Sequence, residues 1–95
     1  ANYTDLQAAI GRVQLRRFTA MFARRRMLAA RYLARLAPLA GRITPQAGLA
    51  DPAHALHLLP VRIGPTARLR RDALLSELRR RNIGATIHYG LLHHM

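Results

Sequence analysis

The stretch TDLQAAIGRVQLRRFTAMFARRRMLAARYLARLA, residues 4–37, determines the fold class because almost nothing in it interrupts a helix. Thr4 and Gln7 have the spacing of a capping box, which marks a helix start. Gly11 is tolerable near that start, and Pro38 is the first residue that would stop the helix. At 1.5 Å rise per residue such a helix is about 50 Å long. Since this exceeds the diameter of a domain this small, we predict a long interdomain helix over residues 1–37.

The apolar residues of this helix form two stripes that face different directions. The first stripe consists of Leu6, Ile10 and Val13, and its line is continued by arginines 17, 24 and 31. The second is rotated by about a quarter turn, counting about 100° per residue, and consists of Phe18, Met21, Leu28, Tyr32 and Leu36. A kink near Arg24–Arg26 would direct one helix around one core. Because that run contains no helix breaker, we favour a straight helix whose two ends pack against different bodies.

The next segments are predicted to be a loop and then a strand. Five prolines and glycines interrupt residues 37–52, which we expect to form a loop. Residues 54–63, HALHLLPVRI, alternate in the manner of a strand, with one face made of Ala55, His57, Leu59, Val61 and Ile63. Pro60 cannot donate a hydrogen bond, so the strand should be an edge strand or contain a bulge.

A second helix and a last strand complete the predicted order of elements. The helix should span residues 68–81 and bury Leu74, Leu75 and Leu78. Asn82 is suited to a left-handed helix cap, after which the chain enters a strand over residues 85–89. The order helix, strand, helix, strand predicts an α+β fold. Because two strands are too few for an independent sheet, we expect this chain to be incomplete.

Length and composition narrow the class of protein. A chain of 95 residues makes at most one domain and buries only about 60–65% of its unfolded surface. It contains no cysteine, which favours a reducing, cytoplasmic location. No apolar run is long enough for a membrane span, and the first ten residues lack the pattern of a signal peptide. We therefore expect no membrane partner.

The charge is strongly positive, at +12, because sixteen cationic residues face only four acidic ones. All sixteen are arginine, and the chain contains no lysine. Nucleic-acid binding would explain the arginines, since a guanidinium fits phosphate oxygens. A general bias of composition is the alternative, and we favour it because the arginines are spread along both helices rather than gathered in one patch.

The histidines suggest polar contacts more than a metal site. His54 and His57 would lie on opposite faces of a strand, with only Asp51 nearby, so zinc is a weak hypothesis. Adjacent histidines such as His93 and His94 rarely converge on one metal. His88 is followed by Tyr89 at the tip of the last predicted strand, where both could meet a ligand.

Four linked blocks resemble one enzyme family. The blocks are NYTDLQAAIG (2–11), ARRRMLAARYLARL (23–36), HALHLLPVRI (54–63) and RRDALLSELRRRNIGATIHYGLLHH (70–94). In this order they resemble the DegT/StrS-type nucleotide-sugar aminotransferases, which are pyridoxal-phosphate enzymes of the aspartate-aminotransferase fold. Members that make UDP-4-amino-4-deoxy-L-arabinose and members that act on other keto-sugars match about equally well. The resemblance covers nearly the whole chain.

The resemblance implies a larger parent enzyme that is a homodimer. Its cofactor would be pyridoxal 5'-phosphate, and the lysine that binds this cofactor as a Schiff base would lie upstream of Asn2, outside this chain. The long helix would then connect a large domain to a small C-terminal α/β domain, of which residues 38–95 would be an incomplete part. On this basis His88, with Tyr89 beside it, is expected to bind the substrate at the mouth of the active site.

The resemblance also assigns a role to Asn2. In the family the asparagine of this block reaches the cofactor phosphate of the neighbouring subunit. Family members usually place an arginine and a hydrophobic residue between the Asn-Tyr pair and the Thr/Ser-Asp pair, whereas here Tyr3 is followed directly by Thr4. Asn2 is therefore a candidate cofactor-binding residue only if its position is preserved despite this deletion.

Two functions from different classes follow. The first is a fragment of an aminotransferase that moves an amino group from glutamate to a keto-sugar nucleotide in cell-envelope or polysaccharide biosynthesis, and no catalytic residue or metal site is assigned within the chain. The alternative is a small arginine-rich nucleic-acid-binding protein. A nucleic-acid binder should show one basic face with aromatic residues for stacking. Because the aromatic residues here fall on apolar stripes, we expect no specific nucleic-acid partner.

The absence of lysine predicts that the 95-residue chain does not attach pyridoxal phosphate through a side chain. Mixing the two, reducing with borohydride and digesting the product should give an adduct only at the α-amino group. Mass spectrometry that locates a reduced adduct on any side chain would contradict this prediction.

Overall fold

The structure, a computed structural model, describes residues 4–88 of the chain. Its elements in chain order are helix α1 (Asp5–Leu36), a 3₁₀ turn (Ala37–Leu39), strand β1 (Ile43–Pro45), strand β2 (Val61–Ile63) and helix α2 (Arg71–Arg80). The predicted α+β class is confirmed. The radius of gyration is 17.3 Å, compared with about 12 Å for a compact chain of this length. The long helix explains this difference.

Helix α1 begins with the predicted capping box and runs without interruption for 32 residues. The Thr4 N–H donates to Gln7 Oε1 at 2.9 Å, and the Gln7 N–H donates to Thr4 Oγ1 at 3.3 Å. Its length of about 48 Å is close to the longest dimension of the molecule, 51 Å. A straight helix, rather than one kinked at the arginine run, accounts for this agreement.

Only the second half of α1 packs against the rest of the described chain. Ala29 is buried, and Leu33 and Leu36 are half-buried. In the first half Leu6 and Ile10 remain 72% and 55% exposed. The first apolar stripe therefore has no partner within residues 4–88.

The predicted second stripe is wrong in part. Leu28 and Tyr32 stay exposed, whereas the neighbouring Ala29 and Leu33 form the contact face. The small side chain of Ala29 lets the following loop approach the helix closely.

The core consists of three buried residues, Ala29, Leu49 and Leu56, which are 7%, 4% and 7% exposed. Leu33 and Leu59 pack against this cluster. It joins α1 to the segment between the two strands, which we call the inter-strand loop (residues 46–60). The loop is thus held to the helix by apolar contacts at two points along its length.

Arg26 adds a polar clamp to the same contact. Its Nη1 donates to the carbonyl oxygens of Asp51 and Pro52 at 3.3 and 3.2 Å. Its guanidinium also lies over the Phe22 ring, 5.7 Å from the ring centre, and Phe22 stacks on Phe18 at 5.6 Å. Arg26 therefore fixes the loop backbone to the helix beside the apolar cluster.

The predicted strand over residues 54–63 is wrong for most of its length, because only Val61–Ile63 form it. The Asp51 carboxylate accepts from the Ala53 N–H at 2.8 Å, and His54 Nδ1 accepts from the Leu56 N–H at 3.0 Å. Leu56 itself has φ +51°. These local hydrogen bonds turn the chain and direct Leu56 into the core, which an alternating sequence pattern does not reveal.

Strand β1 lies within the segment predicted to be a loop and pairs antiparallel with β2. Thr44 is opposite Arg62, and the Gly64 N–H donates to the Arg42 carbonyl at 2.8 Å. Ile43 and Ile63 are half-buried cross-strand partners on the same face of the ribbon. The two strands form a short ribbon with one apolar and one polar face.

Helix α2 is shorter than the predicted 68–81, and its three leucines are only half-buried. Its cap is as predicted, since Asn82 adopts φ +58°. The N–H groups of Asn82 and Ile83 donate to the carbonyls of Arg79 and Leu78, both at 2.9 Å. This is the Schellman arrangement, which satisfies two carbonyls at the end of the helix.

The predicted last strand, residues 85–89, does not form in the part that the structure describes. Residues 83–87 have no regular structure, and His88 lies in a bend. A β-branched pattern makes a strand only when a neighbouring strand supplies hydrogen-bond partners. Within residues 4–88 the outer edge of β2 pairs with no third strand. Residue 89 lies outside the described range.

Gly64 is predicted to be essential for closing the ribbon. A Cβ at this position would lie well inside van der Waals contact with the Gly41 carbonyl oxygen, which is backbone and cannot rotate away. Gly64→Ala should therefore lower the free energy of unfolding by about 1–3 kcal/mol, measured by urea titration with circular dichroism.

Gly84→Ala is the matched control, since a Cβ there meets no atom within 4 Å. Its stability should be unchanged or raised by about 0.5 kcal/mol. Equal destabilisation by both substitutions would contradict the steric account.

Candidate functional site

His88 is the one predicted site residue that the structure describes. It is exposed and lies six residues beyond Asn82, whose left-handed conformation sets the direction in which the chain leaves α2. Asn2 and Tyr89 lie outside the described residues. The proximity of these three residues therefore stays a prediction.

A second candidate is an open groove of about 550 Å³ at one end of the ribbon. Its apolar part is formed by Pro45, Ala47, Pro60 and Val61, and its polar part by Thr44, Gln46 and Arg62. Sequence reasoning missed this groove because residues 37–52 were predicted to be a loop. The alternation of polar Arg42, Thr44 and Gln46 with apolar Ile43 and Pro45 could have indicated it.

The carboxylates of α2 are paired with arginines of the same helix and of its C-cap, Arg81. Glu77 accepts from Arg80 and Arg81 at 3.0 and 2.8 Å, and Asp72 accepts from Arg71 at 2.7 Å. The hydrogen bond from Arg71, together with its positive charge, holds the pKa of Asp72 below its ordinary value. The same hydrogen bond and the negative charge of Asp72 raise the pKa of Arg71. Because Arg71 and Asp72 are both exposed, this pair contributes little to stability. These ion pairs occupy both Asp72 and Glu77, so neither carboxylate is available to arginines elsewhere in the described part of the chain.

His54 and His57, which were considered above as zinc ligands, both lie in the inter-strand loop. His54 uses Nδ1 to accept the Leu56 N–H and so shapes the loop, while His57 is exposed. Residues 4–88 contain no group of three or more metal-ligating side chains that could hold an ion. His93 and His94 lie outside that range.

The arginines of α1 are distributed around the helix. Counting about 100° per residue, Arg17, Arg24 and Arg31 lie about 140°, 120° and 100° around the helix from Arg12. The Phe18 and Phe22 rings stack on each other rather than standing apart. Neither helix in the described part of the chain is both long and apolar enough to cross a membrane.

The described residues do not by themselves form a site that fits pyridoxal phosphate. The chain has no lysine to bind the cofactor covalently. The ribbon groove has no aromatic ring to stack on the pyridine. Such a site requires residues from outside 4–88.

The comparison with protein families agrees with the resemblance of the sequence blocks. The model of the DegT/DnrJ/EryC1/StrS aminotransferase family matches residues 1–95, which is the whole chain. No solved structure gives a significant match. A family match over every residue, on a long helix followed by a small α+β unit, shows that the chain belongs to the DegT/DnrJ/EryC1/StrS aminotransferase family.

Proposed function

We propose that this chain is the C-terminal portion of an aminotransferase that moves an amino group from glutamate to a keto-sugar nucleotide. The observation that carries the proposal is the family match over residues 1–95. The family generally uses pyridoxal 5'-phosphate. When bound, this cofactor supplies the carbanion stabilisation that the reaction needs, while the protein binds and orients the reactants.

Two features of the chain support a larger parent protein. The chain has no lysine, so the covalent attachment of the cofactor must come from elsewhere in the parent. The first apolar stripe of α1, formed by Leu6, Ile10 and Val13, is exposed. A large domain packed against this stripe would bury it, and α1 would then connect the large domain to a small domain that includes residues 38–95.

In the parent, the remaining predicted contacts divide between the cofactor and the substrate. Asn2 would reach the cofactor phosphate of the neighbouring subunit in a cytoplasmic homodimer. His88 and Tyr89 would lie at the mouth of the active site. A neutral imidazole both donates and accepts hydrogen bonds, which suits a sugar hydroxyl better than a guanidinium does.

His88→Asn in the full-length parent separates a substrate contact from a structural role. We expect a higher KM or a lower kcat for the sugar nucleotide, little change in melting temperature and an unchanged cofactor spectrum. His57→Asn is the matched control, because His57 is also exposed and lies in the inter-strand loop.

A protein that melts several degrees lower while its kinetics stay unchanged would show that His88 is structural. The proposed function itself is tested in the unmodified full-length protein. Failure to bind pyridoxal phosphate, or to take up an amino group from glutamate, would refute it.

A further inference from the structure

One face of the β1–β2 ribbon carries polar side chains that the packing of the molecule does not use. We call it the polar ribbon face and define it by Arg42, Thr44, Gln46 and Arg62. All four side chains are exposed. Thr44 is the cross-strand partner of Arg62, and side chains two residues apart on a strand share a face. The register therefore places Thr44 and Arg62 on one side of the ribbon, and Arg42 and Gln46 flank β1 at two residues from Thr44.

Arg42 and Arg62 occupy neighbouring backbone positions on the ribbon. Gly64 lies opposite Arg42, since its N–H donates to the Arg42 carbonyl at 2.8 Å. Arg62 is then the diagonal cross-strand neighbour of Arg42. The backbone positions of such diagonal neighbours lie about 7–8 Å apart. Gly64 has no side chain, and the Gly41 carbonyl oxygen lies where its Cβ would project, so only this backbone group stands between the two positions.

No carboxylate within the described residues neutralises this face. Glu77 and Asp72 form ion pairs with arginines of α2, and the Asp51 carboxylate accepts from the Ala53 N–H. Asp5 lies in the first turn of α1. Arg42 and Arg62 form no ion pair with any of these acids. Two such guanidinium groups attract an anion, and their planar forks fit phosphate oxygens in particular.

The adjoining groove adds space for an organic group. Thr44, Gln46 and Arg62 line it together with apolar residues. Of these apolar residues, Val61 is the first residue of β2 and Pro60 directly precedes it. Its volume of about 550 Å³ is within the range of small-molecule sites. A ligand that carries phosphate at one end and a ring at the other matches this arrangement.

We infer that the polar ribbon face binds the diphosphate of a nucleotide. Each of Arg42 and Arg62 contacts one phosphate, the Thr44 hydroxyl donates a further hydrogen bond, and the attached organic group lies in the groove. The inference deepens the proposed function, because it names residues that would hold the diphosphate of the substrate, and it rests on that proposal for the identity of the complete ligand.

The test uses the ¹⁵N-labelled 95-residue chain at about 150 mM salt, where long-range attraction is largely screened. Titration with UDP should shift the amide signals of residues 42–46 and 60–64 and the Nε–H signals of both arginines, whereas uridine should not. The double variant Arg42→Gln, Arg62→Gln should bind UDP at least about tenfold more weakly. Thr44→Val should weaken binding by a smaller factor.

The matched control is Arg12→Gln, Arg16→Gln, which removes the same charge from an exposed part of α1. Its affinity for UDP should stay within about twofold of the original. Equal weakening by both double variants would show general attraction to a basic chain and would overturn the inference. Shifts confined to other residues, or no shifts at millimolar UDP, would overturn it as well.

Failure of this inference can be told apart from failure of the proposed function. If the full-length enzyme aminates its keto-sugar nucleotide and Arg42→Gln, Arg62→Gln leaves KM unchanged, the ribbon inference is wrong while the function stands. If the full-length protein does not bind pyridoxal phosphate but UDP still shifts the ribbon signals, the function is wrong while the binding face stands.

Discussion

The contact between the inter-strand loop and the second half of α1 is the interaction on which the described structure depends. Leu49 and Leu56 reach Ala29 from the two ends of the loop, and Arg26 holds the loop backbone through the carbonyls of Asp51 and Pro52. Because the loop joins β1 to β2, this contact also fixes the ribbon against the helix. The four side chains of the polar ribbon face stay exposed, where a ligand can reach them.

The same contact covers little apolar surface within residues 4–88. Three buried residues make a very small core, and the stability of a domain this size depends on how much apolar surface it covers. The exposed first stripe of α1 is apolar surface that a second body would cover. In the proposed parent, packing against the large domain would stabilise α1 and at the same time orient the small domain toward the cofactor.

Structural features that depend on residues close together in the sequence could be predicted. Features that depend on pairing between distant segments could not. The Thr4–Gln7 capping box, the uninterrupted helix and the Asn82 cap each depend on residues within one or two helical turns. The position of the strands depends on which segments meet across the inter-strand loop. The hydrogen bonds of Asp51 and His54 that end the expected strand early leave no mark in the alternation of apolar residues.

The candidate sites divide in the same way. His88, Tyr89 and Asn2 were identified through resemblance to a family, and of these the structure describes only His88. The polar ribbon face was not anticipated, because it exists only once Thr44 is paired with Arg62. Its residues form no sequence motif, and its two arginines cannot be distinguished by sequence from the other arginines among the sixteen of the chain. Register, rather than composition, makes them a site.

Amide hydrogen exchange of the 95-residue chain tests the central claim most directly. If the loop contact holds the structure together, the amides of residues 26–36 should open with the same free energy as those of Gln46 and Gly64, whose N–H groups close the ribbon. The amides of residues 9–18 should exchange faster, because that half of α1 lacks a partner within residues 4–88. Uniform protection along α1, or stronger protection in its first half, would contradict the account.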